Sequence, residues 1–293
     1  MSPQKPRSGN KPLVLDELQI PGAALAHPPV EADTWGINIA AARLNFPHDG
    51  LKLILPPWTP NMNVGDSYRI KINNFPVVLG SLERPDEVGQ EVMRFIAPGG
   101  LVDGAFALSY DVTRVGDSTP EPSQTTNIYV KIDAAPPGGR DQDGDVPGHS
   151  ELHLSIPPQF LPPGAVDKDD AAAGIPVTIL PYPNMFDGDR IKLSWGGEIV
   201  WHRVTDLEAI DPDNHPIVIT VEEATIRDAD DTDSSGLVVA FEVYDVVDNQ
   251  SDDWSPEVRV VVDTGSSRLI APFIKEVRDM VLDMDALVPM SER

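Results

Sequence analysis

The sequence predicts an all-β chain organised as two β-sandwiches in tandem, and three observations carry that prediction. Its 293 residues include 30 Pro and 22 Gly, which interrupt the chain too often for long helices. Its apolar runs alternate with a period of two, as in "SYRIKI" (67–72), where Tyr68, Ile70 and Ile72 alternate with Ser67, Arg69 and Lys71. The same order of strand and turn signals also occurs twice, with a repeat of roughly a hundred residues, too long for a solenoid unit and suited to a whole domain.

The elements follow in order. Residues 1–12 read as a disordered leader, and residues 13–133 as the first sandwich, with strands at "LKLILPPW" (51–58), "SYRIKI", "GAFALSYDV" (104–112) and "NIYVKID" (127–133). Residues 134–150, "AAPPGGRDQDGDVPGHS", are dense in Pro, Gly and Asp and read as a linker. Residues 151–263 read as the second sandwich. "LHLSIPPQFLPPG" (152–164) opens it, "IPVTILPYP" (175–183) answers "LKLILPPW", and "RIKLSW" (190–195) answers "SYRIKI". "GLVVAFEVYDV" (236–246) and "VRVVVD" (258–263) answer the two later strands. Asn61 and Asn184, Tyr110 and Tyr244, and Asp133 and Asp263 lie 123, 134 and 130 residues apart, a drift that loop insertions and deletions produce. Residues 264–293 form a short C-terminal extension. They read as a truncated third repeat or an exchanged segment, with a helix through Ile274, Val277 and Val281 as the other reading.

The clearest echo is "NMNVGDSYRIKI" (61–72) against "NMFDGDRIKLSW" (184–195). Gly65 and Gly188 supply the positive backbone angle of a tight corner, and the Asp after each bonds nearby amides. Met62 and Met185 plug the end of the core. Ile191, Leu193 and Trp195 then point inward. A metal at Asp187 and Asp189 is the other reading, disfavoured because the first copy carries Val64 where the second has Asp187.

The order P-[WY], then N-M-x-x-G-D, a Y-D-V strand and "VVDNQSDDWSPEVRVVVD" (246–263) resembles the immunoglobulin-like repeats of large proteobacterial surface and adhesin-like proteins. Asp245, Asn249, Ser251, Ser255 and Pro256 approximate the hairpin that precedes the closing strand of such repeats. The second copy carries the resemblance well. The first is looser, because "TRVGDSTPEPSQTT" (113–126) lacks the Asn-x-Ser core. The resemblance implies two tandem immunoglobulin-like sandwiches in a non-enzymatic structural or adhesive segment, with a protein or glycan surface partner. It also implies a bacterial surface or secreted location.

Composition limits the chemistry. Lys and Arg number 22 against 47 Asp and Glu, a net charge of −25, which argues against nucleic-acid binding and against attachment to anionic membranes. The absence of Cys removes disulfides and thiolate chemistry. No apolar run is long enough to span a membrane, and no apolar core follows the basic N-terminal residues, so export would use a route without an N-terminal signal peptide. A cytoplasmic location is left open.

Asp141, Asp143 and Asp145 alternate in a Gly-containing loop and are the candidate calcium ligands, with a solvated acidic linker as the alternative. No other cofactor is expected. "DKDD" (167–170) and "RDADDTDSSG" (227–236) read as acidic turn tips. Trp35, Trp58, Trp201 and Trp254 are candidates for a sugar-stacking platform, but Trp58 and Trp195 sit at strand positions and read as core. Trp254, beside Asp252 and Asp253 in a loop, is the best candidate contact residue. A carbohydrate-binding module or toxin component is therefore the rival function, and self-association through the tail is a further partner reading.

Overall fold

The computed structural model describes residues 14–43 and 50–265, together with two short paired strands, Val277–Arg278 and Val281–Leu282. The expected leader, and the tail apart from those two strands, lie outside the described residues. The fold is all-β with a few short helices, arranged in several sheets.

In the first half the strands are β1 (Ala24–Leu25), β2 (Thr34–Ile37), β3 (Leu51–Leu55), β4 (Ser67–Ile72), β5 (Phe75–Ser81), β6 (Val92–Ile96), β7 (Gly104–Thr113), β8 (Glu121–Pro122) and β9 (Thr126–Val130). One sheet runs β1-β2-β9-β7-β4-β5, with β8 beside β7, and β3 pairs with β6 in another. β2 runs parallel to β9, while the other pairs are antiparallel. Alternation explains the layering. Leu51, Leu53 and Leu55 of β3 and Tyr68 and Ile70 of β4 are buried in one core with Leu108, Tyr110 and Val112 of β7, so the two sheets face each other.

The second half has β10 (Leu154–Ser155), β11 (Ile175–Ile179), β12 (Arg190–Trp195), β13 (Glu198–Arg203), β14 (Ile217–Val221), β15 (Leu237–Tyr244) and β16 (Val258–Val260). Its sheets run β10-β11-β14 and β13-β12-β15-β16. Ile191, Leu193 and Trp195 are fully buried, as their alternation predicts, and pack with Val177, Val221 and Phe241 in a second core.

The sequence echo is also an echo of topology. A parallel bridge from Val166 to Val262 stands where β2 pairs with β9, and a bridge from Gln19 to Ile54 stands where β10 pairs with β11. The acidic stretch "DKDD" has a local explanation: Asp167 caps the helix Lys168–Ala173, accepting from the amides of Asp169 and Asp170 at 2.8 and 2.9 Å.

Leu193→Ala, at the centre of β12, should lower the unfolding free energy by about 2–5 kcal/mol, read as a lower urea midpoint at unchanged slope. A loss below about 1 kcal/mol would contradict a packed core at this position.

Candidate functional site

The corner motif is a hydrogen-bonded unit built around a buried carboxylate. Asn61 and Asn184 adopt φ of 76° and 60°, and Gly65 and Gly188 adopt 92° and 91°, so each chain doubles back before the next strand. The Asp that follows is fully buried in both copies. Asp66 Oδ2 accepts from the Trp58 indole N–H at 2.8 Å and from the Asn63 amide at 3.0 Å. Asp189 Oδ2 accepts from the Tyr182 hydroxyl at 3.1 Å and the Phe186 amide at 3.0 Å. The aromatic after Pro and the Gly-Asp are therefore two ends of one contact, which explains why they recur together.

The copies differ at the second carboxylate oxygen. Asp66 Oδ1 accepts from the Val115 amide at 2.8 Å, and the Arg114 guanidinium lies 4.0 Å from Oδ2. Arg114 also donates to the carbonyls of Trp58 and Asn61 and is paired with Glu121. Asp189 Oδ1 is buried without a hydrogen-bond partner. Counting from the matched Tyr-Asp-Val, the position of Arg114 is held by Asp248 in the second copy. Burial pushes the Asp189 carboxyl up to about 6, against the opposing pull of the Phe186 amide and the positive charge of Lys131. Lys131 comes from the first half, one residue beyond β9.

Lys131 is the centre of a junction between the halves. Its Nζ lies 3.2 Å from Oδ2 of the fully buried Asp245. Asp245 Oδ1 accepts from the amides of Val247 and Asn249, both at 2.9 Å. Asn249 Nδ2 donates to Asp245 at 2.9 Å and to the Lys131 carbonyl at 2.8 Å, while its Oδ1 accepts from the Ile39 amide at 2.9 Å. The His27 amide donates to the Val246 carbonyl at 2.8 Å, and Asp248 accepts from Arg190 and meets His27. Two glycines permit the close approach. A Cβ on Gly188 would lie 2.5 Å from the Pro28 carbonyl, and one on Gly36 would lie 3.1 Å from Val247. Sequence reasoning placed Asp245 and Asn249 in a hairpin but did not show that this hairpin docks on the first half.

The two predicted loop sites come together. The Asp141 amide donates to Asp252 at 3.2 Å, and the His149 amide donates to the Trp254 carbonyl at 2.7 Å, so residues 139–150 lie against the Asp252–Trp254 loop. Asp141 Oδ1 accepts from the amides of Asp143 and Ser150 at 3.1 and 3.2 Å. Among the described residues no group of three or more His, Cys, Asp or Glu is gathered closely enough to hold a metal ion. Between the two loops lies a groove of about 580 Å³, lined by Ser194, Val238 and Ala240 of the sheet and by Asp253 and Trp254. The four candidate tryptophans do not form one platform. Trp58 is core, Trp35 packs beside the first core, and Trp201 is half exposed on β13 under the Arg190 guanidinium. Among the described residues, no helix is long and apolar enough to cross a membrane.

No protein-family model matches the chain, and no curated protein matches it. A solved structure from work on host cell surface retention of a 1.5-MDa bacterial ice-binding adhesin is similar over 78% of this chain, at 13% identity and a TM-score of 0.28. The match spans 61% of that structure's chain.

Two outcomes are expected at the corners. Asp66→Ala leaves the Trp58 indole and two amides without their acceptor, and should destabilise by about 3 kcal/mol or more in denaturant melts. A loss under about 1 kcal/mol would contradict the corner as a structural unit. Asp189 holds its proton more tightly folded than unfolded, because its folded value of about 6 exceeds the ordinary 3.8. Its contribution is therefore complete below pH 3.8 and lost as pH rises through about 6. Relative to Asp189→Asn, the protein should lose about 3 kcal/mol across that window, and a flat difference would contradict the burial of an ionisable group.

Proposed function

We propose that the chain is a non-enzymatic structural and adhesive segment of a bacterial surface or secreted protein, made of two immunoglobulin-like β-sandwiches held stiffly in series. The immunoglobulin-like reading is supported by strand order. In the second half a three-stranded sheet, β10-β11-β14, faces the four-stranded β13-β12-β15-β16, and the first half repeats the arrangement around β3-β6 and β5-β4-β7-β9. Residues 13–133 and 151–263 are the two domains of this reading. Residues 134–150 then serve as a packed strap: the Gly138 amide donates to the Pro183 carbonyl, and His149 is fully buried.

One observation carries the mechanical part. The Lys131–Asp245–Asn249 junction is buried and hydrogen-bonded on both sides, so rotating one sandwich against the other would leave Asp245 and Asn249 unpaired in a water-poor contact. Leaving a buried charge without its partner costs about 3–5 kcal/mol. Domains joined by a loose linker move independently by default, and this junction removes that freedom. The function is then geometric: the loops of the second sandwich are held at a fixed place and angle relative to the first.

Nitrogen-15 relaxation and small-angle scattering test the reading. The wild-type chain should tumble as one body. Lys131→Ala combined with Asn249→Ala should give each half its own shorter correlation time and raise the radius of gyration, with both cores still folded. Independent tumbling of the two halves in the wild type would overturn the proposal.

A further inference from the structure

The groove beside Trp254 has the features of a ligand site, and its surroundings narrow the ligand's chemistry. Its volume, about 580 Å³, falls within the range of small-molecule sites, roughly 300–1,000 Å³. Trp254 is partly exposed in its lining and held from both sides: its amide donates to Asp253 Oδ1 at 2.7 Å, and its carbonyl accepts from the His149 amide at 2.7 Å. These bonds fix the backbone from which the indole projects, and the indole offers a flat apolar face.

Charge then discriminates among occupants. One face of the ring is already taken by a cation, Lys192 Nζ, 5.0 Å from the centroid and paired with Glu242 at 2.7 Å, so a second cation cannot stack on that face. Exposed carboxylates rim the groove, with Asp253 and Glu257 lining it and Asp252 adjacent, in a chain of net charge −25, so an anion is repelled. What fits is an uncharged molecule with one apolar face and several hydroxyl donors. We propose that this groove binds a neutral saccharide, with one sugar ring stacked on Trp254 and hydroxyls donating to Asp253 and Glu257. Ser194 in the lining offers a further partner, while Val238 and Ala240 make the sheet side of the groove apolar. The inference rests on the adhesive reading above and names its ligand class.

The test titrates the full nitrogen-15-labelled chain with neutral tetrasaccharides of glucose, galactose and mannose, alongside trigalacturonate and trilysine as charged controls. At least one neutral saccharide should shift the Trp254 indole N–H resonance, and Trp254→Ala should weaken that binding by at least about tenfold. Ser194→Arg, which fills the groove from the sheet and leaves the loop intact, should do the same if Trp254→Ala does not fold. The assignment is overturned if no neutral saccharide binds, if only a charged control binds, or if a folded variant of either kind binds as the wild type does. Relaxation rates from the same samples judge the mechanical reading separately. A single tumbling body that ignores every saccharide removes the ligand class and leaves the rigid pair standing.

Discussion

A carboxylate buried in a protein needs donors on its oxygens and a cation in reach, and this fold buries one at the corner of each sandwich. The first meets the demand internally: Asp66 has the Trp58 indole, two amides and the nearby Arg114. The second has Asp248 where Arg114 would stand, and one oxygen of Asp189 has no hydrogen bond. Burial pushes its carboxyl up, and Lys131, across the junction and paired directly with Asp245, pulls it back down. With Asp248 in place of Arg114, the buried carboxylate of the second copy has no guanidinium of its own at that position.

The junction has a direction. Lys131 follows β9, and the matched position after β16 is Val261, so the second sandwich offers no lysine from its own closing strand. The hairpin that receives Lys131 carries Asp245 and Asn249, whereas the first copy pairs the matched Asp111 with its own Arg69 and Lys71. The two sandwiches share a strand plan but have unlike ends, and the unlike ends are the ones that meet.

Much of the strand plan was legible in the sequence because burial imposes a period of two and the corner repeats. β3, β4, β11, β12, β15 and β16 lie within the segments read as strands, β7 runs one residue past its segment, and Trp58 and Trp195 are core as their positions required. The strands that were not legible have physical reasons. The edge strand β5 contains Pro76 and exposes the apolar Phe75, Val77 and Leu79, so its apolar residues do not mark the inward face that Val78 takes. In β14 the outward Val218 is itself apolar, which hides the period that Ile217, Ile219 and Val221 follow. The junction was not legible because its partners are distant in sequence: Asn249 meets Lys131 across 118 residues. The groove was half legible. Asp141 and Trp254 were each singled out, but their loops lie side by side only through folding, with Asp141 and Asp252 separated by 111 residues. The amides of Asp143 and Ser150 that bond Asp141 were not legible either, because spacing alone does not show which loop backbone faces a carboxylate.

The central proposal is that the first half supplies a positive charge that the second half lacks beside Asp189. A double-mutant cycle of Lys131→Met and Asp189→Asn, followed by denaturant unfolding at neutral pH, tests that claim most directly. Lys131→Met should destabilise the wild type, and at least about 1 kcal/mol of that loss should disappear once Asp189 is neutral, the remainder belonging to the Asp245 pair. Additive effects, within about 0.3–0.5 kcal/mol, would contradict it.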